Sequence, residues 1–201
     1  MFDYLYLRNR IKAVYHRLFS RFFLAPLFYS FGKRTKIVKP LLLKNTNWIS
    51  LGNRVTINDG VFMMTEEDTY LERNGVKLII EDGATLGNYN HVVAVNRVVI
   101  GKDVLTADRV YISDNYHGYE EINIPICKQP IKSKGPVEIG EGSWLGENVC
   151  VISSIIGKHC VIAANSVVIN DIPDYSVAAG SPAKVKKQYN FETQKWEKCQ
   201  R

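Results

Sequence analysis

The sequence contains no run of apolar residues long enough to cross a bilayer, no paired cysteine spacing and only four histidines in 201 residues. Its longest apolar stretch, Phe22 to Phe31, is roughly half of what a span needs and is broken by Pro26. Cys127, Cys150, Cys160 and Cys199 make no CxxC and no ligand-like pairs, which argues against a disulfide framework or a structural zinc site. With no signal peptide to be read at the N-terminus, a cytoplasmic location is expected. No GxSxG elbow and no Ser-His-Asp order is present. Acid is scarce at one end: residues 1–40 hold nine Lys/Arg against Asp3 alone, leaving 17 basic and 19 acidic residues in 41–201 from totals of 26 and 20. The net charge of +6 therefore belongs to the N-terminus. No base-stacking motif accompanies those cations, so nucleic acid is not an expected partner.

What is there divides into three parts. Residues 1–34 form a basic segment in which 4–23 reads as an amphipathic helix, with Leu7, Ile11, Val14, Leu18 and Phe22 in one stripe. Arg10, Arg17 and Arg21 flank the stripe on one side, Arg8 and Lys12 on the other. Two readings stay open: a helix packed on its own domain or a neighbouring subunit, or an interfacial helix that brings residues 1–32 against an anionic membrane at the inner face of the cytoplasmic membrane.

From residue 51 the period becomes six. Leu51-Gly52, Ile57-Asn58, Ile80-Glu81, Ile100-Gly101, Ile139-Gly140, Leu145-Gly146, Ile156-Gly157 and Ile162-Ala163 each begin a hexad with a small or β-branched residue at its fifth position. Neither helix nor simple strand alternation explains a glycine recurring at one phase. A fixed repeat calls for a solenoid, in which three hexads close one triangular coil and stacked coils form a parallel β-prism. The phase slips between tracts predict loops leaving the prism at 63–79 and 113–138, and such loops on a rigid scaffold carry function. The prism is expected over 35–185. The tail 186–201 is polar and reads as a candidate helix carrying Phe191 and Trp196.

The ordered series Ile139-Gly140-Glu141-Gly142-Ser143-Trp144-Leu145-Gly146, Ala164-Asn165-Ser166-Val167-Val168, Asp171-Ile172-Pro173 and Ala179-Gly180-Ser181-Pro182-Ala183-Lys184-Val185 resembles the hexapeptide-repeat acyltransferases with a left-handed parallel β-helix. It is most similar to galactoside, maltose and polysaccharide O-acetyltransferases. The resemblance implies acetyl-CoA as co-substrate, no metal, a homotrimer with active sites at subunit interfaces, and a sugar or glycan acceptor. It places the catalytic histidine where the insertion leaves the coil, at His117 in Ser113-Asp114-Asn115-Tyr116-His117-Gly118.

A neutral imidazole near pKa 6.5 suits removal of an alcohol proton as the C–O bond forms, and can then protonate the departing thiolate. Asp114, Asn115 and Tyr116 are candidate acceptor-binding residues, with Asp114 and Asn115 equally readable as turn formers. Asn88, in Asn88-Tyr89-Asn90, matches an acceptor-holding element of the galactoside enzymes or else is a stacked corner asparagine. For the co-substrate, the resemblance implies Trp144 beside pantetheine, the backbones of Glu147 and Ala164 along it, and Lys184 and Lys187 on phosphates. Ile169 and Asn170 stand where relatives carry Thr-Lys. N-acetylation of an amino sugar is the alternative within enzymes; a non-catalytic scaffold and a γ-type carbonic anhydrase are more distant, the latter for want of a third spaced histidine.

Overall fold

The computed structural model describes residues 4–66 and 75–199. It is mainly β: two six-stranded sheets and one nine-stranded sheet run along the molecule as the three faces of a prism. The chain visits the faces in turn, so each coil adds one strand to each sheet. The second coil, for example, is Ile49–Leu51 on the first sheet, Thr56–Ile57 on the second and Phe62–Thr65 on the third. Adjacent coils pair in parallel throughout.

The hexads come into register in spite of the phase slips between tracts. Leu51, Ile80, Ile100, Ile139 and Ile156 stack as one interior column, and all five are buried. The fifth positions turn inward as expected: Val55, Ala84, Val104, Ser143 and Cys160 are buried at the corner that follows. Cys160 is a buried core residue, whereas Cys150 is half-buried on the outer side of the third sheet beside the interior Val151, and burial raises the pKa of both thiols.

Two corners are regular. Between first and second sheets, Arg34, Arg54, Gly83, Asp103, Gly142, His159 and Tyr175 each take a positive φ. Between second and third, Gly60, Tyr89, Arg109, Asn148 and Asn165 do the same. The third corner, from the third sheet back to the first, has no such series, and both long excursions leave there.

Three expectations change. Paired strands begin at Ser30–Phe31 rather than at 35. Of the loop expected at 63–79, residues 63–65 and 78–79 are strand, and residues 67–74 lie outside the described residues. The tail is an antiparallel hairpin, Lys184–Asn190 against Lys195–Lys198, rather than a helix. Its strands extend the second sheet past Ser176–Ala179, where the open strand edge needs hydrogen-bond partners that a helix cannot give. Asn190 Oδ1 accepts the N–H groups of Glu192 and Thr193 to close the turn. Tyr189 then meets Phe191 and Trp196 edge to face, at 5.1 and 5.5 Å.

Candidate active site

The third corner is built on Asp114. Its side chain is fully buried and its carboxylate accepts the backbone N–H groups of Val95, Asn96 and Arg97 at 2.9, 2.7 and 2.6 Å. Asn115 Nδ2 donates to the same carboxylate at 3.0 Å, and Ser113 Oγ bonds the backbone of Asn115 on both sides. Of the two readings of Asp114 and Asn115, the turn-forming one describes these contacts. The Asp114 carboxylate ties one coil to the next, and none of its bonds reaches His117.

Directly after this turn, Tyr116–His117 pairs antiparallel with Ile131–Lys132. Two short strands therefore close the base of the expected loop as a hairpin, and residues 118–130 between them carry no strand. Gln129, nearly buried, clamps its far end by donating to the carbonyls of Glu121 and Ile124 and accepting the Glu121 N–H. Glu120 and Lys132 form an ion pair at 2.9 Å; their hydrogen bond lowers the Glu120 pKa and raises that of Lys132. His117 is exposed and opposite Ile131, its position set by backbone pairing. Tyr116 lies beside Tyr119 and under the Lys134 ammonium.

The residues expected around the co-substrate fall elsewhere. On the outer side of the second sheet, Thr85, Leu105, Trp144, Val161 and Val177 succeed one another across paired strands. Lys187 and then Lys198 continue that column on the terminal hairpin. Trp144 is 47% exposed. Lys184 pairs with Ala179 on the neighbouring outward position. At the second corner, Glu147 pairs with Arg109 and its carbonyl accepts the Asn165 N–H. Ala164 packs under Gly146, where an added Cβ would stand 2.7 Å from the Ala164 nitrogen; the glycine after Leu145 is required by this close approach. Leu105, Val161, Val177 and Lys198 were missed by sequence reasoning. The first two occupy the outward place before an interior residue and could have been found from hexad phase; Lys198 depends on the hairpin.

Ile169 and Asn170 are exposed at the third corner, away from Trp144. Asn88 also has other partners than an acceptor: its amide donates to Asp108 at 3.1 Å and accepts the Asp59 N–H at 3.2 Å, the work of a stacked corner asparagine. His91 lies on the outer side of the third sheet between Phe62, whose ring is stacked at 4.1 Å, and Tyr111. His159 is exposed at the first corner.

One consequence is topological. In a three-faced prism the second sheet lies opposite the third corner, so a single chain cannot bring Trp144, Lys184 and Lys187 to His117. Trp144, Lys184 and Lys187 make one half-site and His117 another on the opposite side of one molecule, while Asn88, Glu147 and Ala164 lie at the second corner and Ile169 and Asn170 at the third.

No protein-family model matches the chain. A protein of Escherichia coli K12 named as the lipopolysaccharide biosynthesis O-acetyl transferase WbbJ is 36% identical over 178 residues, covering 84% of this chain and 87% of that protein. Among solved structures, the chain is similar to the N-acyltransferase AntD of Bacillus cereus, in complex with dTDP-4-amino-4,6-dideoxyglucose and coenzyme A. The TM-score is 0.66 at 18% identity, over 84% of this chain and 88% of that one. A maltose O-acetyltransferase of Clostridium difficile 630 gives a TM-score of 0.54 at 24% identity, over 91% and 87%. These two likenesses concern the fold.

Proposed function

Because the chain belongs to the hexapeptide-repeat acyltransferases, enzymes with a left-handed parallel β-helix, we propose that it transfers acetyl from acetyl-CoA to a hydroxyl of a surface-polysaccharide sugar or its precursor, with His117 as general base. The observation that carries this reading is the column on the second sheet. Leu105, Trp144, Val161 and Val177 offer an apolar track that ends in Lys187 and Lys198. From Trp144 to Lys187 is three strand spacings, ~14 Å, comparable to the reach of an extended pantetheine arm. An apolar arm with a phosphate-bearing end suits a track that is apolar along its length and cationic at its terminus. Lys184 joins the cationic end from the adjacent position. The name of the Escherichia coli relative supports the choice of a lipopolysaccharide-type acceptor.

The opposed half-sites support an active site shared between protomers. The third corner of one prism faces the second sheet of the next, and a threefold arrangement repeats the pairing three times and closes. In each cleft the His117 imidazole takes the acceptor's hydroxyl proton as its oxygen bonds the thioester carbonyl carbon. The tetrahedral intermediate then expels the thiolate, which receives that proton, giving the acetyl ester and free CoA. The Asp114 turn and the antiparallel hairpin hold the histidine in place, and Tyr116 and Tyr119 lie on the acceptor side.

The test follows free thiol release from acetyl-CoA with oligosaccharide acceptors bearing hydroxyls or amines. His117→Ala is expected to lose about 10²–10⁴-fold in turnover; unchanged turnover would remove the base assignment. Amine acceptors acetylated in preference to hydroxyls would favour N-acetylation. Co-refolding inactive His117→Ala with a Trp144→Asp/Lys187→Glu variant should restore activity if sites are shared. A mixture no more active than its two components would place the site within one chain.

A further inference from the structure

We propose that the N-terminal helix is a docking surface for an anionic lipid membrane. It goes beyond the acetyl transfer above and does not depend on it. The helix Tyr4–Phe19 runs into a wider π turn, Ser20–Leu24. On a helix of 3.6 residues per turn, Ala13, His16 and Ser20 share one side, while Leu7, Ile11, Val14 and Leu18 share the opposite one. The helix docks on the prism by the first side. Ser20 is fully buried, and its hydroxyl accepts the Ile37 N–H at 2.9 Å and bonds the Ile37 carbonyl at 3.3 Å. Ala13 and His16 are the only other partly covered positions between 7 and 19.

The apolar stripe therefore points away from its own domain. Ile11 is 61% exposed, Leu18 51%, Phe22 69% and Phe23 68%. The helix packs on its own domain through Ser20, but the stripe takes no part in that packing, which leaves a neighbouring subunit or a membrane as its occupant. Large apolar side chains at this exposure on one continuous face mark a surface that something covers.

Charge selects the occupant. Arg8 and Lys12 border the stripe on one side, Arg17 and Arg21 on the other, and all four are exposed. Nine basic residues stand against a single acid in residues 1–40. Rows of cations along both margins of an apolar face fit an interfacial helix, whose stripe enters the acyl boundary while its basic stems reach the phosphates. A stripe buried against two identical helices would bring those same rows together at like charge. No helix among the described residues is long and apolar enough to cross a membrane, so the contact is one of lying on the surface. The helix sits at the first-coil end of the prism, and docking would stand the prism on that end.

The measurement is co-sedimentation of the full chain with vesicles of phosphatidylcholine alone or with a quarter phosphatidylglycerol, alongside oligomer mass in solution. Binding to the anionic vesicles is expected, weakened by salt. Each basic residue at such a surface is worth roughly fivefold in partitioning, so Arg17→Gln/Arg21→Gln should lose about 25-fold. Ile11→Glu/Leu18→Glu should abolish sedimentation with Tm and oligomer mass unchanged, since the stripe faces away from the prism. Absence of vesicle binding, or equal binding by the Glu variant, would overturn the proposal. So would a Glu variant whose oligomer falls apart, which would identify a second copy of the chain as the occupant.

Discussion

The regular corners and the third corner of the prism solve opposite problems. At the first two, one residue per coil adopts a left-handed backbone conformation, and side chains stack from coil to coil, as Asn88 does between Asp59 and Asp108. Such corners are closed: each repeats its neighbour, and there is no room for an insertion without breaking a ladder. The third corner has no common conformation and is held by individual devices instead. Asp114 gathers three backbone N–H groups there, and Asn45 and Thr65 bond each other's backbone two coils earlier. The difference shows how a repeat fold acquires chemistry. Periodicity supplies stiffness on two edges, and the third edge is free to carry a hairpin with a histidine on it.

The contrast can be broken deliberately, beginning where the effect should be greatest. His117→Ala should remove about 10²–10⁴-fold of activity while leaving Tm at the wild-type value, because the side chain is exposed; a large fall in Tm would make His117 structural. Asp114→Ala leaves one buried and two partly buried N–H groups without an acceptor and should cost about 3 kcal/mol, measured by urea unfolding, with activity lost through the displaced hairpin. Asp114→Asn should recover part of that stability. At a closed corner, Asn88→Ala should cost about 1 kcal/mol and leave the acceptor KM unchanged; a raised KM with intact stability would return Asn88 to the acceptor site. Lys187→Gln and Lys198→Gln should each raise the KM for acetyl-CoA about three- to tenfold, as loss of one charge-assisted phosphate contact would, with little effect on kcat.

The smallest effect concerns pH. Burial holds the His91 pKa below its usual 6.5, so the unfolded chain takes up the proton more readily than the folded one. Stability should be level above about 6.5 and fall as the pH drops below it. His91→Phe should flatten that acid arm of the Tm profile, and an unaltered slope would assign it to other groups.

Most of the prism was legible because its signal repeats. An interior aliphatic residue recurring every sixth place stays readable across phase slips, since strand register is fixed by which side chains must be buried. His117 was singled out by the resemblance, which places the catalytic histidine where the insertion leaves the coil. What was not legible depended on pairing between distant segments. The polar alternation of 184–198 is compatible with a helix until the bare edge of Ser176–Ala179 is known. Asp114 looked like a ligand or a turn because its partners, residues 95–97, are a coil away. The separation of Trp144 from His117 follows from which face each strand joins, and no local pattern contains it.

The bond between Ser20 and Ile37 has a further consequence. A stack of parallel coils presents an open strand edge at each end, and two such molecules could join end to end into a fibre. On the second sheet, Ser20 Oγ meets the Ile37 backbone at one end in place of a neighbouring strand, and at the other end the chain reverses direction and presents lysines at 195 and 198. On that sheet the two ends do not present matching parallel edges.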